Sequence, residues 1–381
     1  MCHRAWYWIS RREATELANS CHRKHRVVAK ASGRRFARPA DRSRESSAAS
    51  LAREFVILAR VKRLFLIDTD TASDDAVALI MALRARQVEV VAITTVAGNV
   101  GVQQATRNAL YTVELCNSQV PVFAGAEKPL RRQHASADWF HGRDGLGDHG
   151  YPPPSRAPQK QNAIDAIIAT IAAHPGIELV TLGPLTNIAL AVQKDPAIAK
   201  NVSCCVVMGG NPCCEGNITP AAEYNIWCDP EAASIVARSG LPIELVGWHL
   251  CRGEAVVNPA DIEKILGFNT SVAKFAIECN SRGQEAFLEQ TGEHGISLPD
   301  PVAMAIALDP SIVTSQSQHF LEIETHSELT RGMTVVDRLN VAPNERNREV
   351  WSAALVAGQL AKVIWTIDNA RWKQALYAAL Q

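Results

Sequence analysis

The stretch RLFLIDTDTASDDAVALIMALRA, residues 63–85, leaves the chain few ways to fold. RLFLI is a short continuous apolar run, the pattern of a strand buried on both faces. DDAVALIMALRA has helical composition and few breakers. VEVVAITTVAG, residues 88–98, reads as a second buried strand, and the three together make a β-α-β unit. Between the first strand and the helix, four aspartates fall within eight residues: Asp68, Asp70, Asp74 and Asp75. That much like charge at one turn repels itself unless something positive sits among it.

The alternation continues. RNALYTVELC is a helix, VPVFAG a strand, NAIDAIIATIAAHP a helix and IELVTLG a strand. LTNIALAVQKDP, VSCCVVMGG, DPEAASIVARSG and PIELVG repeat the pattern. Helices taking turns with buried strands predict an α/β fold. The expected sheet is open, mostly parallel and Rossmann-like, with helices on both faces. Ligands of such sheets bind outside the carboxyl ends of the strands, so the active site is expected there.

Charge divides the chain. Residues 1–62 carry 15 lysines and arginines against 5 acids, leaving 24 against 34 in the other 319 residues. The basic, Arg- and Ser-rich segment reads as a disordered extension, either a transit peptide or sequence upstream of the true start. The domain is expected to span residues 63–381. Its acidic balance suits a metal site and argues against nucleic acid as a partner. No window is apolar for long enough to span a membrane. Ten scattered cysteines without a C-x-x-C pair fit a reduced cytoplasmic protein, with organelle targeting by residues 1–62 left open.

Four acids at one strand end want a cation, and oxygen-only ligands point to Ca²⁺ or Mg²⁺ rather than zinc. Asp74 or Asp75 also suits a helix N-terminus as a cap. An EF-hand loop counted from Asp68 would need Gly at Ser73 and Glu at Leu79, so that pattern fails. A Mg²⁺ phosphohydrolase of the haloacid-dehalogenase type also opens with a strand and D-x-D, and would use Asp68 as nucleophile. It wants Thr or Val at Ala72 and a later acidic pair that is missing.

Other polar clusters recur at strand ends. Asn99 follows the second strand. His141 and Asp144 lie in FHGRDGLG. Asn217, Glu223 and Asn225 stand between a strand and a helix, and Asp300 precedes Pro301 in SLPDPVAMAIALDP. Each alone is ordinary loop or cap chemistry. Their repetition at the same end of successive strands is the signal.

Taken in order, DTDTASDDAVAL, ITTVAGNV, HGRDGLG, LGPLTNIALA, VVMGG, GNITPAAEYNIWCDPEAA and DPVAMAIALDP resemble the blocks of the inosine–uridine-preferring nucleoside hydrolases. The likeness covers about residues 63–381. It implies hydrolysis of the N-glycosidic bond of ribonucleosides to ribose and free base, with one Ca²⁺. By this resemblance Asp70, Asp75, Asp300 and the Leu182 carbonyl are the calcium ligands. Asp70 is also the general base on a calcium-bound water. Asp74, Asn217, Glu223 and Asn225, with Asp300, would bind the ribose. Asn99 matches a residue beside the water, His141 a base-pocket histidine, and Asp68 a support of the metal loop. The partner is a small ribonucleoside, and the expected assembly is a homodimer or homotetramer.

Three departures stand out. Thr71-Ala72 replaces the family's Pro-Gly, which suggests a cost if positive φ is needed there. Pro299 stands where many members have a histidine that protonates the leaving base. His294, His141 or stacking on Trp248 are the candidates to replace it. The third departure is the basic extension itself. A non-catalytic nucleoside- or ribose-binding protein is the alternative that Pro299 keeps open.

Overall fold

The computed structural model describes residues 62–381. The expected disordered extension therefore lies, apart from Lys62, outside the described residues.

Strand β1 (Arg63–Thr69) alternates its side chains between two cores: Phe65 and Ile67 enter one apolar cluster and Leu66 the other. Burying each such side chain contributes roughly 1.5–3 kcal/mol, so the register of β1 is firmly held. The remaining parallel strands are β2 (Val88–Thr95), β3 (Val122–Ala124), β4 (Ile177–Thr181), β5 (Val202–Met208) and β6 (Ile243–Val246). Their spatial order is 3-2-1-4-5-6. β1 and β4 are thus neighbours whose outgoing loops turn opposite ways, which opens a crevice above them. The expected Rossmann-like sheet is present.

Two strands extend it beyond the sequence reading. β7 (Val313–His319) forms an antiparallel edge, and β10 (Ala361–Ile367) lies between it and β6. A small hairpin, β8 (Leu321–Ile323) with β9 (Thr334–Val336), stands apart from the sheet.

Helix α1 (Ser73–Arg84) is buried from Ser73 through Ala82, as its apolar residues on every side require. It packs against α11 (Pro299–Leu308), which carries Asp300 in its first turn. Between them in the chain come α2 (Val102–Leu115), α3 (Asp138–His141), α4 (Ala163–Ala173), α5 (Thr186–Lys194), α6 (Tyr224–Cys228), α7 (Pro230–Ala237), α8 (Pro259–Leu266), α9 (Ser271–Glu278) and α10 (Ser281–Thr291). No helix among the described residues is long and apolar enough to cross a membrane.

The helix start bears out one expectation and corrects another. Asp75 acts as a cap from within the first turn, its carboxylate accepting the N–H of the N-cap residue Ala72 at 2.9 Å. Ala72 itself has φ −110° and ψ −154°, extended backbone that any residue adopts. The glycine it replaces carries no left-handed conformation here, so the expected cost is absent.

Candidate active site

The crevice above β1 and β4 is a cleft with about 630 Å³ of empty space, its solvent-filled mouth included. Among the expected site residues, Asp74, Asn99, His141, Leu182, Asn217, Glu223, Asn225, Trp248 and Asp300 line it. Asp68, Asp70 and Asp75 are fully buried and lie outside that lining. His294 is exposed and absent from the wall, so its candidacy as proton donor loses its geometric basis.

The floor is a set of crowded carboxylates. Oxygens of Asp74, Asp75 and Asp300 lie within 4.8 Å of one another, a grouping able to hold a metal ion. Asp74, expected at the ribose, stands in this group beside Asp75 and Asp300. Asp70 is adjacent nonetheless: Asn99 donates its backbone N–H to Asp70 Oδ2 at 2.6 Å and its side-chain amide to Asp75 Oδ2 at 3.4 Å. The other oxygen, Asp70 Oδ1, is buried without a hydrogen-bond partner. Glycine is required on both sides of this carboxyl. A Cβ on Gly98 would come within 2.0 Å of Asp70 Oδ2, and one on Gly183 within 2.6 Å of Oδ1.

Burial pushes all of these carboxyls up, and their mutual repulsion adds to it for Asp70, Asp74 and Asp300. Asp74 is raised to about 7. Asp68 is also raised to about 7 by burial, against hydrogen bonds to its Oδ1 from Asn187 at 2.8 Å and Thr94 at 2.5 Å. It braces the end of β1, and its own carbonyl accepts the Leu182 N–H at 2.8 Å. An all-oxygen set with unpartnered buried acceptors at Asp68 Oδ2 and Asp70 Oδ1 fits a hard divalent cation.

The far wall is built by α6. Glu223 caps it, accepting N–H bonds from Asn225 at 2.9 Å, Ile226 at 3.2 Å and, from β5's exit loop, Gly210 at 2.7 Å. Asn217 Oδ1 accepts from Tyr224 N–H at 2.8 Å, and Asn225 donates to the Leu182 carbonyl at 2.8 Å. That carbonyl keeps a second lone pair. His141 Nδ1 is 2.8 Å from Ser73 Oγ, and burial lowers its pKa to about 3. It is therefore a neutral imidazole at pH 7.

Several wall residues escaped sequence reasoning: Trp139, Phe140, Ile218, Tyr224, Gln290 and Ser297. Tyr224 and Phe140 sat inside the quoted blocks AAEYN and FHGRDGLG. Ile218 and Ser297 likewise sat inside GNITPAAEYNIWCDPEAA and SLPDPVAMAIALDP, and only Trp139 and Gln290 lay outside the quoted blocks. Tyr224 ties the wall together, its hydroxyl donating to the Ala135 carbonyl at 2.7 Å with the Gly98 carbonyl 3.1 Å away. Trp248, open to a core or a ligand-facing role by sequence, is both: 4% exposed and part of the cleft wall.

The model of the inosine-uridine preferring nucleoside hydrolases matches residues 65–373. The chain belongs to this family. As a nucleoside hydrolase it cleaves the N-glycosidic bond of ribonucleosides. It is 37% identical over 289 residues to the pyrimidine-specific ribonucleoside hydrolase RihA of Salmonella typhimurium, covering 75% of this chain and 92% of RihA. It is 35% identical over 306 residues to a probable uridine nucleosidase 1 of Oryza sativa subsp. japonica, covering 80% and 92%. The solved plant nucleoside hydrolase PpNRh1 matches this hydrolase with a TM-score of 0.77 at 32% identity, over 84% of this chain and 99% of the plant enzyme. The dehalogenase-type alternative falls with this assignment, and so does a purely binding role. The fully buried, hydrogen-bonded Asp68 is also no nucleophile facing the cleft.

Proposed function

We propose that this hydrolase acts through one Ca²⁺ held by Asp70, Asp75, Asp300 and the Leu182 carbonyl, with Asp70 as general base. The observation that carries the reading is the orphaned Asp70 Oδ1, a buried acceptor beside three other carboxylates. A calcium ion there would supply positive charge to offset the carboxylate repulsion and would lower the pKa of a coordinated water. Asp70 then accepts the proton of the attacking water. Asp74, on the cleft wall, turns to the ribose hydroxyls together with Asn217, Glu223 and Asn225, and Asp300 borders both groups. Positive charge builds on the ribose as the base departs, and these carboxylate and amide oxygens stabilise it. Asn99 orients the floor through Asp70 and Asp75. Neutral His141 and the ring of Trp248 face the base.

The names of RihA and the rice enzyme make uridine the first nucleoside to try. A panel of uridine, inosine and p-nitrophenyl riboside, each with and without calcium, tests the reading. Uridine should be turned over with calcium present. Because Pro299 cannot donate a proton and His294 is exposed, the nitrophenyl riboside should be cleaved at least as fast as uridine. Uridine running faster would show that a strong acid is present after all.

Residues 1–62 show little apolar periodicity and carry a charge opposite to the rest of the chain. A chain starting at Lys62 should fold and keep its turnover. Loss of solubility or of uridine cleavage on this truncation would make the extension part of the enzyme.

A further inference from the structure

We propose that Ser73 is a positioning residue for the reaction: its hydroxyl fixes His141 in the tautomer whose Nε2–H faces the departing base. The inference rests on the reading above that the base lies against His141. Ser73 opens α1, directly before Asp74. It is 0% exposed and outside the cleft wall, so water does not reach its hydroxyl. Among the described residues the one hydrogen-bond partner of Ser73 Oγ is His141 Nδ1, at 2.8 Å. Asp74 Oδ1 is 4.0 Å from Nδ1, too far for a hydrogen bond. Were Nδ1 protonated, its N–H would point at Ser73 Oγ and the hydroxyl hydrogen would be buried with no acceptor. Such an unsatisfied donor is costly. Ser73 therefore donates, Nδ1 accepts, and the neutral ring carries its one hydrogen on Nε2. Backbone and side-chain bonds hold both partners in place. The Ser73 carbonyl accepts from the Asn280 amide at 3.4 Å, and the His141 N–H and C=O bond Ala137 and Gly147, each at 2.9 Å. Nε2 has no hydrogen-bond partner among the described residues, yet it is not one of their sealed unpartnered atoms, so it opens to the cleft that His141 lines.

The leaving group gives the tautomer its consequence. When the C1′–N bond of a nucleoside breaks, its electron pair stays on the base. Negative charge then spreads over the ring nitrogens and carbonyl oxygens. An N–H fixed in their direction stabilises that charge without giving up its proton. Water oxygen bonds to C1′, one water proton passes to Asp70, and the base takes its own proton from solvent as it leaves. Pro299, in the wall beside Asp300, has no N–H to offer. The opposite tautomer would turn the bare Nε2 lone pair toward the base and oppose the developing charge. One buried hydroxyl thus decides whether His141 helps or hinders departure.

The test uses the full-length protein with calcium. Nitrogen-15 spectra of the histidine rings, with the His141 signals assigned by their loss in His141→Gln, should show a protonated Nε2 and an accepting Nδ1. A protonated Nδ1 in the parent protein would overturn the proposal, whatever the variants do. Ser73→Ala should mix the two tautomers and lower kcat on uridine about 10-fold, the size of one hydrogen bond that strengthens in the transition state. KM should change less than kcat. The loss on p-nitrophenyl riboside should be several-fold smaller, because nitrophenolate is stable as an anion. In the His141→Gln background, Ser73→Ala should cost almost nothing further, because the hydroxyl acts through the imidazole. Equal losses on both substrates, or the same loss with and without His141, would overturn the proposal and leave the hydrolase reading intact. A parent protein that cleaves neither substrate would remove the hydrolase reading and this role together.

Discussion

Asp70→Asn should fold and lose at least ~10²-fold in kcat on uridine, the lower end for removing a general base. The substitution is nearly isosteric, which matters because Gly98 and Gly183 leave no room for a larger group. Its amide oxygen can keep the bond from the Asn99 N–H now made to Oδ2. The NH₂ then takes the place of Oδ1, where it can neither accept a proton from water nor coordinate a cation. Removing one of several crowded like charges should also raise the melting temperature of the metal-free protein, because burial and the Asp75 charge oppose ionisation of Asp70. Steady-state kinetics and paired melts with and without calcium check both parts. A kcat within a few-fold of the parent would remove Asp70 as the base.

Stripping divalent cations should abolish turnover and destabilise the fold, by more at pH 8 than at pH 5. Asp68 and Asp74 have folded pKa values raised to about 7, against about 3.9 in an unfolded chain. Between those values the native state binds more protons than the unfolded state, so metal-free stability falls as pH rises from about 4 to about 7. Below pH 4 both states are protonated and the penalty vanishes. Calcium bound there would offset the charge of the ionised floor, so its stabilising effect should be largest at high pH. Melting temperatures of metal-free and calcium-loaded protein at pH 5, 6, 7 and 8 should therefore diverge as pH rises. Full activity after complete metal removal, or two parallel melting curves, would refute a metal role for the acid cluster.

Much of this was legible in the chain because the relevant physics is local. An apolar run of strand length, followed by acids and a helix apolar on every side, specifies a buried strand, a loop and a buried helix. Repeated, that pattern specifies a parallel sheet with its site at the strand ends. Short blocks such as DTDTASDDAVAL and AAEYN carried the family with the loop residues they contain. β7 escaped because its sequence, VTSQSQH, is mostly exposed at an antiparallel edge and shows no buried run.

Tertiary structure decided what meets what. The strand order brings Leu182 beside Asp68, and the packing of α11 on α1 brings Asp300 to Asp74 and Asp75. Sequence offered two histidines as equals; packing buries His141 against Ser73 in the cleft wall and leaves His294 in solvent. It also settled that Ala72 needs no glycine, since the backbone there is extended. The physical reason is the same in each case. Periodicity and propensity act over a few neighbouring residues, whereas the meeting of distant carboxylates depends on which helices bury their apolar faces together.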